Sequence, residues 1–122
     1  MKAKGIVWCG VASPQFESTI VFFRDVLGLE LVEHREESAF AMFRLPSGQY
    51  FEVLGGANPW HKLLQRPVIG FHVDDVPSAR RELEEEGVIF VSETGSNAGF
   101  EWALFEGPDG FIYEILSVPE DK

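Results

Sequence analysis

An internal repeat with an offset of 62 residues constrains the fold of this chain more than any other feature. At that offset the segment 40–54 falls on the segment 102–116, and each holds a Pro-X-Gly turn followed by a strand with a central glutamate. Identical residues meet at Ala41/Ala103, Phe43/Phe105, Pro46/Pro108, Gly48/Gly110, Glu52/Glu114 and Leu54/Leu116. This periodicity indicates two copies of one supersecondary unit, each too small to bury its own apolar face.

Each copy is expected to begin with a strand and a helix. The offset aligns Val7, Cys9 and Val11 with Ile69, Phe71 and Val73, which alternate as the buried face of a strand does. Stripes with helical spacing follow, namely Phe16, Ile20, Phe23 and Leu27 in the first copy and Val76, Ala79 and Leu83 in the second. Helix starts are expected at Ser13 with Pro14 and near Pro77, and helix ends at Gly28 and Gly87.

Together these patterns predict an α+β fold. After each capping glycine comes a strand, over 29–34 and 88–93, and then two strands joined by the Pro-X-Gly turn. Two such β-α-β-β-β modules, over about residues 5–55 and 67–118, are predicted to form a curved mixed sheet around a cavity. The segment 56–66 links them within a single domain spanning residues 1–122, and residues 93–101 are expected to form a loop at the cavity mouth.

Alternation along the strands predicts a binding site on the sheet face opposite the helices. Glu52 and Glu114 are expected there as catalytic groups near one pseudo-twofold axis, where burial and like charge raise at least one pKa. An arginine partner or solvent on an open face is the alternative for each carboxylate. Small residues leave room for a ligand, and the residues predicted to contact it are Trp8, Gly10, Tyr50, Gly70, His72 and Trp102.

The charge balance argues against polyanionic partners. Ten Lys and Arg residues against twenty Asp and Glu residues give a net charge of −10, which repels nucleic acid and anionic membranes and is compatible with an organic cation. No apolar run approaches the roughly 20 residues that span a bilayer. A lone cysteine, Cys9, and an N-terminus without a leader pattern predict a cytoplasmic protein whose thiol is buried and inert.

Three segments carry a family resemblance. They are FFRDVLGL at 22–29, FHVDDV at 71–76 and FEGPDGFIYEI at 105–115. Together the segments resemble the vicinal oxygen chelate superfamily, the group of glyoxalase I, the bleomycin-resistance proteins, the extradiol dioxygenases and the fosfomycin-resistance enzymes. The resemblance covers nearly the whole chain and implies the fold of that superfamily.

The resemblance also implies where a divalent metal would bind. Metal-dependent members hold the ion with two His and two Glu, from the first and last strand of each module, and these positions fall on Trp8, Glu52, Val68 and Glu114. Only the two glutamates can ligate. His72, on the strand face of Val68, is the remaining nitrogen donor, since His34 and His61 fall at a strand end and in the linker. The expected protein therefore has no obligatory metal and no cofactor.

These observations predict a homodimer that binds a small organic molecule in the sheet cavity, as members of the bleomycin-resistance-like branch do. Two alternatives stay open. A metal-dependent lyase, isomerase or dioxygenase would use Glu52, Glu114 and His72 around a divalent ion. A metal-free acid/base isomerase, similar to an epimerase, would use one glutamate as its base.

Overall fold

The computed structural model describes residues 1–121, and within them the chain forms nine strands and two α-helices. The strands are β1 (Ile6–Ala12), β2 (Glu30–Arg35), β3 (Phe40–Arg44), β4 (Tyr50–Leu54), β5 (Val68–His72), β6 (Ile89–Phe90), β7 (Gly95–Asn97), β8 (Phe100–Glu106) and β9 (Ile112–Ser117), and the helices are α1 (Phe16–Val21) and α2 (Val76–Glu85). The predicted α+β class is confirmed. Among the described residues, no helix has the length and apolar character needed to cross a membrane.

The chain divides into two compact units. The first unit is Val7–Val68, and the second combines Met1–Ile6 with the chain from Ile69 onward. The N-terminal residues join the second unit because backbone hydrogen bonds of 2.8 Å link Lys4 and Gly5 to His72 of β5. Each unit has its own helix and its own apolar core.

In the first unit the strand order is β2-β3-β4-β1, and α1 packs on one face of the sheet. β1 runs parallel to β4, and the other pairs are antiparallel. Ile20 of α1 is buried against Ala41, Phe43 and Val53. Burial of side chains of this kind contributes roughly 1.5 to 3 kcal/mol for each large one, so this face forms the core of the unit.

The first helix changes type partway along the predicted stripe. α1 ends at Val21 and continues as a π-helix over Phe22–Val26, in which the Leu27 N–H donates to the Phe22 carbonyl at 3.1 Å. Because each hydrogen bond there spans five residues, the following side chains turn away from their α-helical directions. Leu27, predicted on the buried stripe, is 55% exposed, and Leu29 packs against the core instead.

Of the two predicted helix starts, one is correct and one is displaced. α2 begins after Asp75, whose carboxylate accepts the Ser78 N–H at 3.0 Å, with Pro77 in the first turn as predicted. α1 begins after Gln15 and has no side-chain cap. The Ser13 hydroxyl instead accepts the Gln15 N–H at 3.1 Å, which makes it part of the turn before the helix. Helix-ending positive φ angles occur at the glycines predicted for that role, Gly28 (72°) and Gly87 (90°).

In the second unit the strand order is β5-β9-β8-β6, with β7 also paired to β8. β5 and β9 are parallel, and the pairs of β8 are antiparallel. Val76 and Ala79 of α2 are buried against Ala103 and Ile115. Apart from the additional strand β7, the unit therefore repeats the β-α-β-β-β plan of the first.

Two expectations for the second unit are wrong in detail. The strand predicted over 88–93 shrinks to the two residues of β6. The loop predicted over 93–101 contains β7, which pairs with the start of β8 through Ser96 opposite Glu101. Backbone pairing, which Gly and Ser side chains do not reveal in sequence, orders this segment.

The repeat slips by two residues at its first strands. Glu52 lies opposite Gly10, and Glu114 lies opposite Gly70. The two glutamates are 62 residues apart, but the two glycines are only 60 residues apart. The alignment of β1 with β5 at an offset of 62 is therefore wrong. Because two is an even number, the assignment of strand faces survives the slip. Ile69, expected in the core, is 36% exposed.

A β-bulge interrupts β2. Leu31 lies opposite Phe43, but Glu33 lies opposite Met42, so Val32 is an extra residue in the ladder. Side chains alternate between faces, and the bulge therefore brings Glu33 to the side of the sheet away from α1. By the same shift His34, opposite Ala41, lies on the side of α1.

Candidate functional site

The candidate site lies on the sheet face of the first unit that α1 does not cover. Adjacent strands place Gly10, Glu52, Met42 and Glu33 in one row, each opposite the next. The neighbouring row contains Trp8, Tyr50 and Arg44. We call these seven residues the Glu52 face.

Trp8 is the immediate partner of Glu52. Its side chain is 4% exposed, and its indole Nε1–H donates a hydrogen bond of 3.0 Å to Glu52 Oε1. The ring covers Gly10 so closely that a Cβ on Gly10 would lie 2.2 Å from Cη2 of Trp8. The space freed by Gly10, which the sequence interpretation leaves for a ligand, is therefore filled by the indole.

Desolvation of the Glu52 carboxyl group raises its pKa from 4.5 to about 7. The hydrogen bond from Trp8 acts in the opposite direction, and the negative charge of Glu33 adds to the increase. The residue is only half-buried, so part of its surface stays accessible. At neutral pH both protonation states are populated, and this carboxyl group can accept or release a proton.

Tyr50 forms a buried wall next to Trp8. Its hydroxyl oxygen accepts a hydrogen bond of 2.7 Å from Nη1 of Arg44, whose guanidinium carbon lies 4.9 Å from the centre of the phenol ring. Tyr50 thus presents an aromatic surface while its polar end is satisfied by Arg44.

The second unit holds Glu114 at the corresponding place in its own sheet. Glu114 is 4% exposed, opposite Gly70 of β5 and Leu104 of β8. Trp102 of β8 covers Gly95, where an added Cβ would lie 2.4 Å from Cε2 of the indole. An indole over a glycine is therefore a feature of both units.

His72 is tied to the C-terminal segment of the second unit. Its Nε2 lies 2.7 Å from Oδ2 of Asp121, and the same oxygen accepts the Val118 N–H at 2.8 Å. Lys4 adds an ion pair of 3.4 Å to the other oxygen of Asp121. The imidazole predicted to contact ligand or metal thus has a structural partner within the fold.

The residues at the implied metal positions do not fit a divalent transition metal. The β1 position is occupied by the Trp8 indole, which donates a hydrogen bond to the carboxylate that would bind the ion. The β5 position is occupied by Val68, a buried aliphatic side chain. Such metals need three or four nitrogen, sulfur or oxygen donors around one point.

Comparison with known proteins establishes the family. The model of the Glyoxalase/Bleomycin resistance protein/Dioxygenase superfamily matches residues 5–115. Because the match extends over nearly the whole chain, the chain belongs to that superfamily. The sequence has no match among the curated proteins.

Solved structures with the same fold share about a fifth of their residues with this chain. Methylmalonyl-CoA epimerase from Mycobacterium tuberculosis has a TM-score of 0.75 at 20% identity, over 95% of this chain and 89% of the other. A Streptomyces coelicolor methylmalonyl-CoA epimerase variant in complex with 2-nitronate-propionyl-CoA has a TM-score of 0.73 at 20% identity, over 96% and 99%. A superfamily member from Vibrio splendidus 12B01 has a TM-score of 0.66 at 19% identity, over 92% and 97%. These likenesses support the fold.

The sequence patterns miss three residues of the Glu52 face, namely Glu33, Met42 and Arg44. Glu33 is missed because strict alternation places it with Leu31 on the core side, and only the bulge at Val32 moves it. Arg44 lies two residues from Met42 on β3, so both side chains point to the same face, and Arg44 lies opposite Tyr50. The alternation that identifies Tyr50 therefore also predicts the position of Arg44.

Proposed function

We propose that this protein binds a small organic molecule at the Glu52 face without a metal, and that Glu52 exchanges a proton with the bound molecule. The observation that carries the proposal is the 3.0 Å hydrogen bond from Trp8 Nε1–H to Glu52 Oε1. An indole N–H is a donor without a lone pair for a cation. This arrangement supports a carboxyl group that works as an acid or base, and it disfavours a metal ligand.

The raised pKa of Glu52 suits a group that acts as an acid or base near neutral pH. A general base is most effective when its pKa lies near the operating pH, and burial brings Glu52 to about 7. With Oε1 held by Trp8, Oε2 accepts the proton from an acidic C–H next to a carbonyl group of the ligand. The resulting carboxylic acid then returns a proton to that carbon, so the ligand hydrogen exchanges with solvent.

The surroundings of Glu52 favour a partly apolar ligand. Met42, Tyr50 and Leu54 flank the carboxyl group along β3 and β4 and are buried. Apolar neighbours lower the local dielectric, which strengthens each polar contact made there. The net charge of −10 is compatible with a cationic ligand.

The names of two structural neighbours support the reaction class. Both are methylmalonyl-CoA epimerases, and epimerisation beside a carbonyl group is a proton transfer at carbon. Simple uncharged thioesters with an acidic C–H are therefore the first probes for this chain, because its net charge of −10 repels the polyanionic CoA group.

Hydrogen exchange in D₂O tests the proposal. Proton NMR of these thioesters with EDTA-treated protein is expected to show loss of the acidic C–H signal. Glu52→Gln is expected to slow the exchange by roughly 100-fold or more, whereas Glu85→Gln, an exposed change on α2, leaves it unchanged. Exchange that requires a divalent ion, or that proceeds equally in Glu52→Gln, overturns the proposal.

The remaining predicted contacts are tested separately. Glu114 as a second acid/base group, and Gly70, His72 and Trp102 as ligand contacts, stay predictions, which Glu114→Gln and ligand titration of Trp102→Phe check. Homodimer formation also stays a prediction, and light scattering measures it.

A further inference from the structure

A second cluster of metal-ligating side chains lies outside the Glu52 face. It consists of Glu17 in the first turn of α1, His34 near the end of β2 and Glu36 in the turn after β2. One ligand atom from each residue lies within 4.8 Å of the other two, and His34 Nε2 is 3.6 Å from Glu17 Oε2. We propose that these three residues form a binding site for a divalent transition metal such as Zn²⁺, which clamps α1 to β2.

The position of His34 is fixed by the sheet. The bulge at Val32 brings it to the side of α1, opposite Ala41. The imidazole meets the Phe16 ring edge-on, with 5.8 Å between ring centres, and 27% of the side-chain surface stays exposed. An oriented yet accessible imidazole beside two carboxylates provides the mixed N/O donor set that Zn²⁺ accepts.

The charge around the cluster is uncompensated. Over residues 1–121 Glu36 has no Lys or Arg at ion-pair distance, and Glu17 approaches only His34. The nearest basic residue in sequence, Arg35, is turned to the other face, where it pairs with Glu33 at 2.5 Å. Two carboxylates held together without a protein cation attract one from solution.

The geometry requires only a small adjustment. Donor distances of about 2.0 to 2.2 Å from Zn²⁺ place tetrahedral ligand atoms roughly 3.3 Å apart. The present separations, up to 4.8 Å, close through rotation of the exposed glutamate side chains while His34 stays in place. Water completes the coordination, so the bound ion joins the helix start to the strand end.

Calorimetric titration of the full chain with Zn²⁺ tests the site. One ion per chain is expected, together with a higher melting temperature in Zn²⁺. His34→Ala and the pair Glu17→Gln with Glu36→Gln are each expected to raise the dissociation constant at least about tenfold, the loss that even outer-shell changes cause in metal sites. His61→Ala, whose Nδ1 contacts the Asn58 carbonyl, and Glu37→Gln are the matched controls and keep the affinity.

Three results overturn the inference. They are the absence of Zn²⁺ binding, equal affinity in His34→Ala, and loss of binding in Glu52→Gln with His34 intact. Melting curves without metal verify that each variant is folded. The last result places the ion on the Glu52 face and contradicts the proposed metal-free function as well. Either of the first two results contradicts the zinc site alone and does not affect the proposed metal-free function.

Discussion

Trp8 and Glu52 are joined by a hydrogen bond of 3.0 Å between the indole Nε1 and Oε1, across two neighbouring parallel strands. The contact depends on Gly10, the residue opposite Glu52, because the indole occupies the space where any other side chain would stand. Trp8 and Gly10 therefore determine how the Glu52 carboxyl group is covered.

Glu52→Gln is expected to stabilise the protein at alkaline pH. The folded pKa of Glu52 is raised from 4.5 to about 7, so the native state binds the proton more tightly than the unfolded chain. The stability that the protonated group contributes is present below pH 4.5 and is lost as the pH rises through 7. The full shift corresponds to about 3 kcal/mol at pH 8. Urea unfolding at pH 4, 6 and 8 is expected to show the variant gaining stability only as the pH rises, and a constant difference contradicts the raised pKa.

Trp8→Phe is expected to raise the Glu52 pKa above 7. The indole hydrogen bond favours the ionised carboxylate, and phenylalanine has no donor to replace it. Carbon-detected NMR titration of the Glu52 side-chain carboxyl measures the change. Trp60→Phe serves as the control and is expected to leave the pKa of Glu52 unchanged. A titration in Trp8→Phe that matches the native protein contradicts the assigned contact.

Gly10→Ala is expected to displace the Trp8 indole. A Cβ at this position would overlap the ring at 2.2 Å, so either the indole or the strand must move. Overpacking of this kind costs roughly 1 to 3 kcal/mol. The loss appears in chemical unfolding, together with a change in tryptophan fluorescence. Gly56→Ala, where an added Cβ meets nothing within 4 Å, is the matched control, and equal effects of the two substitutions argue against this packing.

Cys9 is expected to react slowly with thiol reagents in the folded protein. Burial raises the pKa of its thiol above the ordinary 9.0, which lowers the fraction of reactive thiolate. A chromogenic disulfide reagent at pH 8 is expected to modify the native protein at least about tenfold more slowly than the urea-unfolded protein. Equal rates in the two states would show an accessible thiol.

The regular parts of this fold can be predicted from the sequence because they are periodic. Alternation places Glu52 and Tyr50 on the sheet face away from α1, and the Pro-X-Gly turns at Gly48 and Gly110 have the expected positive φ angles of 97° and 83°. The two-residue error in the alignment of β1 with β5 does not change these assignments, because a shift by an even number of residues keeps each side chain on the same face.

The irregular parts cannot be predicted in this way because they break the period. The π-helix over Phe22–Val26 exposes Leu27, and no residue in it marks the change of hydrogen bonding. The bond from Trp8 to Glu52 depends on the direction of a side chain that alternation places only on a face. The sequence thus places both Glu52 and Trp8 on this face but does not reveal the hydrogen bond between them.

Val32, the extra residue in β2, determines which surface receives Glu33 and which receives His34. Without the bulge, Val32 would take the regular place opposite Met42, and Glu33 and His34 would each lie on the other side of the sheet. The carboxyl group of Glu52 would lose a nearby negative charge, and Glu17 would lose its imidazole neighbour. The one-residue shift in the pairing of β2 therefore determines both the charge beside Glu52 and the side chain beside Glu17.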